Sequence, residues 1–223
     1  MANCELIELD ALECEAYQTK EVLKVLLHSI IFQRALGEHR FCDCDSDLFD
    51  LSYVRCDSRA ICQRVEEYAA AFSAALERSQ ARPSPVQSSR ICVAFVERRT
   101  RPGAFGLFRA DEKVVWERWH IALTVRSPEQ VALETGSAAS GTMSTLGPSD
   151  AEARRRQQQQ LADTLKERLE AILTTTSARK EHIPPADGLG GESAAWFEVS
   201  SDSESWSGMD FFKGFARVRA PAF

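Results

Sequence analysis

The chain has 223 residues, of which 44% are hydrophobic and 27% are charged, proportions typical of a globular domain that buries a substantial core. Its formal net charge of -6 argues against a general attraction to nucleic acid or to an anionic membrane surface. Seven scattered cysteines favour reduced cytoplasmic thiols over a secreted disulfide framework, and we expect neither a signal peptide nor a transmembrane segment.

The first predicted elements are a strand or loop and then a helix. Residues 5–13 mix apolar with acidic residues, which is typical of an edge strand or of a loop. A helix is expected from Thr19, whose hydroxyl is placed to cap the free amides of the first turn, to Gly37. The candidate buried positions of the two segments are Leu6, Ile7, Leu9, Leu12, Val22, Leu23, Leu26, Leu27, Ile30 and Ile31.

The next unit repeats the order of strand and helix. Residues 47–56 have the β-propensity of a strand, although they show no clean polar face. The helix that follows has Asp57 or Ser58 as its cap and ends before Pro83. Its apolar stripe has the clearest helical spacing in the chain and consists of Ile61, Val65, Tyr68, Phe72 and Leu76.

Two apolar segments then predict a β-hairpin. Residues 91–98 alternate in a way that suits a strand buried on both faces, and residues 114–125 form a second long strand. The connection between them contains Pro102 and two glycines, so we expect a protruding tip at this end of the hairpin.

The last third of the chain is less regular. Residues 127–149 are rich in Ser, Gly, Thr and Ala and predict a flexible insertion. A third helix resumes near Asp150, with an apolar stripe in its second half. Its basic first turns oppose the helix dipole, so they are either a solvated surface or a partner contact. Residues 182–223 form a C-terminal segment with too many aromatic residues for pure disorder.

This order of elements places the chain in the α+β class. Helices lie between strands that pair mainly in the antiparallel sense, which favours helices packed on one face of a single sheet. We interpret residues 1–223 as one domain, with the insertion and the C-terminal segment as its irregular parts.

Residues 43–47 imitate the start of a calcium-binding loop. Leu48 stands where such a loop needs glycine, and Val54 stands where it needs a bidentate glutamate. We therefore predict a solvated acidic loop without bound calcium.

Other catalytic and metal-binding motifs are weak. Cys42 and Cys44 lie close to His39 in sequence, but no second ligand pair follows at zinc spacing. The glycine-rich residues 188–191 follow prolines and not a strand, which argues against a dinucleotide-binding loop. His28 falls in an apolar helix, where a hydrogen-bonded core histidine is expected. We predict no catalytic residue, cofactor or metal; an α+β enzyme that uses one of the cysteines is the alternative.

Five blocks in the same order resemble the autophagy-related protein 101 family. They are LFDLSYVRC at 48–56, ICVAFVERR at 91–99, VVWERWHIALTV at 114–125, EHIPP at 181–185 and SSDSESWSGMDFFK at 200–213. In the third block, Trp116, Glu117 and Trp119 are similar to that family's Trp-Glu-x-Trp step. The similarity covers nearly the whole chain outside residues 127–149.

The resemblance implies a HORMA domain, in which three helices pack on a mainly antiparallel sheet and a C-terminal safety belt follows. It also implies a non-catalytic adaptor that forms a heterodimer with the HORMA domain of autophagy-related protein 13. Within the Unc-51-like autophagy-initiating kinase complex, such an adaptor stabilises its partner and recruits downstream factors. The expected locations are the cytoplasm and the phagophore assembly site. A HORMA adaptor of the checkpoint or translesion type, which binds a peptide, is the alternative.

The resemblance also implies two partner-binding sites. Family members carry an exposed Trp-Phe finger, but counting nine residues back from Trp116 reaches a leucine. The residues of this loop are either exposed anchors or are folded back onto the domain. The finger candidates are Phe105, Leu107 and Phe108. The second site follows from the way related HORMA domains pair through the third helix, and its candidates are Arg155, Arg156 and Gln159.

Overall fold

A computed structural model describes residues 4–35, 40–79, 86–102, 109–126, 148–184 and 196–202 of the chain. Its strands are β1 (Glu5–Glu15), β2 (Phe41–Asp45), β3 (Ser52–Cys56), β4 (Val86–Pro102), β5 (Arg109–Arg126) and β6 (Phe197–Asp202). Its helices are α1 (Thr19–Gln33), α2 (Arg59–Ser79) and α3 (Pro148–Ala178), and a 3-10 turn (Ala16–Gln18) precedes α1. The predicted stop at Gly37, the finger residues and most of the predicted insertion lie outside the described residues.

The main sheet has four strands in the order β1-β5-β4-β6. The hairpin of β4 with β5 is antiparallel, as the sequence predicts, and β6 pairs antiparallel with the other side of β4. β1 forms an edge of this sheet and is parallel to β5, because α1, α2 and three strands separate the two along the chain. The predicted α+β class, with a mainly antiparallel sheet, is confirmed.

One face of the sheet carries the core, because successive side chains of a strand point to opposite sides. In β1 a bulge between Leu9 and Leu12 keeps both of these residues and Ile7 on the buried face despite their uneven spacing. Leu6 was predicted to be buried, but it lies on the opposite face and is 48% exposed. The largest fully buried side chains are those of Trp119, Phe72, Phe95 and Phe197.

The prediction that the strand at 91–98 is buried on both faces is confirmed for one face and only in part for the other. Ile91, Val93 and Phe95 are fully buried; on the other face Val96 is buried, whereas Cys92 and Ala94 are half-buried. The difference arises because the core formed by the helices lies against the first face, and small side chains occupy the second.

The start of α1 differs from the predicted cap. The helix begins at Thr19, as expected, but the Thr19 hydroxyl donates to the Glu15 carbonyl oxygen at 3.2 Å and caps no amide. The preceding 3-10 turn has its own cap, in which the Glu15 backbone N–H donates to the Gln18 side-chain oxygen at 2.9 Å, and Gln18 makes no side-chain cap to α1. A cap residue and the first helical residue are neighbours in sequence. Only the backbone geometry shows which of the two positions Thr19 occupies.

Residues 43–47 were predicted to form an acidic loop and residues 47–56 a strand. The strand is confirmed at 52–56 as β3, but the loop prediction is wrong at 43–45, which belong to β2. Strands β2 and β3 form a two-stranded antiparallel hairpin. Along β2, half-buried cysteines alternate with exposed residues, which is the pattern of a strand. The aspartates among the exposed residues made this segment resemble a loop in the sequence. Between the strands, Glu21 of α1 accepts hydrogen bonds from the Ser46 hydroxyl at 2.8 Å and from the Asp47 backbone N–H at 3.0 Å. These bonds hold the connecting bend against α1.

The second and third helices agree with the prediction. All five residues of the predicted α2 stripe are buried. In α3, Leu161, Leu165 and Ile172 are buried and Leu169 is partly buried against the same core. No helix in the described ranges combines the length and the apolar composition that crossing a bilayer requires.

Candidate protein-interaction site

The β4–β5 hairpin extends beyond the rest of the sheet. Pairing of β1 with β5 stops at Glu117, and pairing of β6 with β4 stops at Phe95, which is opposite Glu117. From there the two strands continue as a ribbon to the pair Pro102–Arg109. Seven residues of a strand span about 20 Å. The ribbon therefore places its last described pair, Pro102 and Arg109, well beyond the four-stranded region, and the predicted finger at residues 103–108 lies outside the described residues.

The base of this ribbon is rigid. The register of β4 and β5 shifts between Phe95 and Val96, because Trp116 of β5 has no pairing partner on β4 and forms a bulge. As a result, the consecutive residues Trp116 and Glu117 are both buried. The Trp116 ring packs against Phe95 at 5.4 Å between centroids, and Trp196 stacks on the same phenylalanine at 5.7 Å. The Val96 backbone N–H donates to the Trp196 carbonyl oxygen at 2.9 Å. The start of the C-terminal segment is thus packed against the bulge.

A buried ionic network lies beside the bulge and is centred on Glu117. The Nε of Arg34 donates to both carboxylate oxygens at 2.9 Å, and the Trp119 indole N–H donates to one of them at 2.5 Å. His182 Nε2 lies 2.6 Å from the other oxygen. The Arg34 and Glu117 side chains are 2% and 0% exposed. Arg34 Nε and the Trp119 indole both donate to the carboxylate, which offsets the cost of burying its charge.

Arg34 also joins α1 to the end of α3. Its two terminal nitrogens donate to the carbonyl oxygens of Thr176, at 3.2 Å, and Arg179, at 2.9 Å. The last carbonyls of a helix have no partner within the helix and carry its negative dipole end, so a guanidinium is well suited to this position. The network therefore fixes three parts of the fold to each other: the end of α1, the base of the hairpin and the link after α3.

On the outer edge, β6 is held by α2. The Arg64 guanidinium lies 4.3 Å from the centroid of the Phe197 ring and donates to the Phe197 carbonyl oxygen at 2.9 Å. Lys113 on the ribbon forms an ion pair with Glu198 of β6. Together with the backbone pairing to β4, these contacts fix residues 197–202 as the fourth strand of the sheet.

The predicted third-helix site is exposed. The side chains of Arg155, Arg156 and Gln159 all face outward, and their contacts are with their own helix: Arg156 with Glu152 at 3.5 Å and Gln159 with Asp163 at 3.0 Å. The neighbouring Gln158 turns inward and donates to the Leu48 carbonyl oxygen. The structure does not bring this surface together with the ionic network, which lies at the other end of α3.

The sequence analysis missed the roles of Arg34, Glu117 and His182. One signal was present: Glu117 is two residues before Trp119 in a strand whose alternate positions are inward, so it occupies a buried position. Its partners come from residues 83 and 65 positions away in the chain, and a single sequence gives no indication of them.

Several of the described thiols and imidazoles are buried. Burial raises the pKa of Cys14 and of Cys56 to about 11, so both stay protonated and are poor nucleophiles at neutral pH. His28 is buried in α1, as predicted, and stacks on Tyr53, but its Nδ1 has no hydrogen-bond partner within the described ranges. No group of three or more metal-ligating side chains comes together in the part of the chain that the structure describes.

These features define a mixed α+β domain, with three described helices against a mainly antiparallel sheet, compatible with the HORMA fold. A family model described as Autophagy-related protein 101 matches residues 11–188. Autophagy-related protein 101 of Arabidopsis thaliana is 32% identical over 214 residues, which cover 95% of this chain and 94% of that protein. The chain therefore belongs to the autophagy-related protein 101 family, as the motifs predict, and has a role in autophagy. This is an accessory family of autophagy and not a known catalytic family.

Proposed function

We propose that this chain is a non-catalytic adaptor that forms a heterodimer with the HORMA domain of autophagy-related protein 13. In this role it stabilises that partner within the Unc-51-like autophagy-initiating kinase complex and recruits further factors at the phagophore assembly site in the cytoplasm. The observation that carries the proposal is the ribbon at 96–102 and 109–115, which extends past both neighbouring strands of the sheet. A family of autophagy accessory proteins provides the context.

The proposal assigns different tasks to two surfaces. The connection at residues 103–108 supplies apolar anchors for recruitment, because one or two such anchors often carry most of the binding energy of an interface. The exposed cations Arg155 and Arg156 of α3 contribute to the heterodimer, since exposed charges of one sign favour association with a partner surface of the opposite sign. Residues 182–223 act as the safety-belt segment, and β6 is its described part.

Affinity purification of the tagged chain from cells tests the heterodimer. We expect autophagy-related protein 13 to be recovered with it, and thermal unfolding of the purified chain to shift upward when the HORMA domain of that partner is added. Equal melting temperatures at saturating partner, together with no recovery from cells, would contradict the proposal. Recovery of a checkpoint or translesion partner instead would support the alternative HORMA role.

A double variant tests the recruiting surface. Leu107→Ala with Phe108→Ala should leave the melting temperature and the heterodimer unchanged but reduce autophagosome formation, because tip anchors contribute to binding and not to the core. Val93→Ala on the same strand pair is a matched control, since Val93 is fully buried and its truncation should destabilise the fold. If the double variant is destabilised by a few kcal/mol, the loop is folded onto the domain. A stable variant with normal autophagosome formation would remove the loop from the proposal.

A further inference from the structure

Two thiols lie side by side on the small β2–β3 hairpin. Cys42 and Cys44 are alternate residues of β2 and therefore share one face of the strand, where both are half-buried. Their Sγ atoms are 3.9 Å apart. Both cysteines are free, so the pair is reduced and partly accessible to a small molecule.

A cation differentiates the two sulfurs. Arg55 lies directly opposite Cys42 on β3, and its Nε donates to the Cys42 Sγ at 3.4 Å. This hydrogen bond is the main cause that raises the pKa of Arg55. Burial, and then the hydrogen bond with Cys42, raise the pKa of Cys44. The guanidinium therefore lies against the Cys42 sulfur, whereas the Cys44 thiol is the one whose proton is held more tightly.

The backbone permits a disulfide between the two residues, although with strain. Alternate residues of an extended strand have their Cα atoms about 6.6 Å apart, which is near the upper limit of about 6.8 Å for a disulfide. Closing the bond requires β2 to bend at Asp43, which pairs with Val54. Strained and accessible disulfides are the ones that are easily reduced again, so the geometry favours a reversible bond.

We propose that Cys42 and Cys44 form a reversible redox pair that reacts with low-molecular-weight disulfides of the glutathione class. The Cys42 thiol loses its proton to solvent and its sulfur attacks one sulfur of the oxidised tripeptide, forming a mixed disulfide and releasing one tripeptide thiolate. Cys44 then loses its proton to solvent and its sulfur attacks the Cys42 sulfur, which releases the second tripeptide thiolate. The two protein thiols are oxidised to one disulfide, and the oxidant takes up both electrons. Arg55 is a positioning residue that acts through Cys42.

Two further cysteines are close enough to serve as internal controls. The Cys62 Sγ donates to the Cys56 carbonyl oxygen at 3.5 Å. Cys56 is fully buried, which keeps it protonated and out of reach of the oxidant. We expect both to stay reduced: Cys56 because it is buried, and Cys62 because its thiol is directed at a backbone carbonyl and not at the pair on β2.

Titration of the full chain with oxidised and reduced glutathione tests the pair. Intact mass, with alkylation of the remaining thiols and peptide mapping, should show the loss of two hydrogen atoms and one bond between Cys42 and Cys44. Cys44→Ser should stop at a mixed disulfide with glutathione on Cys42. Cys42→Ser should abolish the reaction at this site, Cys62→Ser should leave it unchanged, and Arg55→Gln should slow it several-fold.

Hydrogen exchange gives a second measurement that does not depend on serine variants. Oxidation should speed amide exchange in β2 and β3, where the strand must bend, and leave the four-stranded sheet unchanged. An oxidised protein whose new bond joins other cysteines, or a chain that keeps both thiols at high oxidant, would overturn the proposal. Equal oxidation rates for the native chain and Arg55→Gln would overturn the role of Arg55.

Discussion

Two regions of this protein are rich in charge, and they use it in opposite ways. At the base of the hairpin, Arg34 and Glu117 are buried, and the Glu117 carboxylate accepts hydrogen bonds from Arg34 and from the Trp119 indole. At the start of α3, Arg155 and Arg156 face solvent, and the described contact of Arg156 is with its own helix. The comparison teaches that burial, and not residue type, decides whether an arginine holds the fold together or is available to a partner.

The largest effect is expected when the buried network is broken. Glu117→Gln removes the charge that compensates Arg34, and breaking a buried pair in this way costs about 3–5 kcal/mol. Urea unfolding should therefore show a strongly reduced midpoint with a similar slope. The matched control is Glu198→Gln, which breaks the half-exposed ion pair with Lys113 and should cost less than about 1 kcal/mol. Equal losses for the two variants would contradict the difference drawn between buried and exposed charge.

A second, smaller effect concerns pH and His28. Burial, followed by the positive charges of Arg55 and Lys24, lowers the pKa of His28 from 6.5 to about 4. The unfolded chain takes up a proton below pH 6.5 that the folded chain refuses until about pH 4, so stability falls as the pH decreases through this window. At about 1.4 kcal/mol for each pH unit, the loss approaches about 3 kcal/mol.

The contribution of His28 is isolated by comparison with His28→Leu. Carboxylates titrate in the same pH range, so the measured quantity is the difference in unfolding free energy between the native chain and the variant at pH 7 and pH 4.5. We expect the variant to lose less stability than the native chain on acidification. A parallel loss in both proteins would show that His28 is not the group that responds.

The smallest effect on stability is expected at the start of α3. Arg155→Glu with Arg156→Glu should change the free energy of unfolding by no more than about 0.5 kcal/mol, as is usual for exposed positions. The same variant should bind the autophagy-related protein 13 HORMA domain more weakly and with less dependence on salt. Lys166→Glu with Lys180→Glu reverses two exposed cations elsewhere and serves as the control. Unchanged affinity in the first variant would remove this surface from the proposed heterodimer.

The sequence by itself determined the parts of this protein that depend on local pattern. The five-residue stripe of α2 and the alternation along the hairpin strands follow from which side chains must leave water, and that information lies within single segments. The family was also recognisable from short motifs in the correct order. The Trp-Glu-x-Trp step even placed a glutamate at an inward position of β5.

Only the tertiary structure decided the rest, because the partners are distant in the chain. β1 is parallel to β5, and Glu117 is paired with Arg34 from the end of α1 and lies within hydrogen-bonding distance of His182 from the link after α3. The hairpin of β2 was missed because its aspartates suggested a loop, whereas backbone pairing with β3 outweighs their low β-propensity. Local pattern determines which face of a segment is apolar. Only tertiary packing determines which other segments cover that face and which buried charges then need a partner.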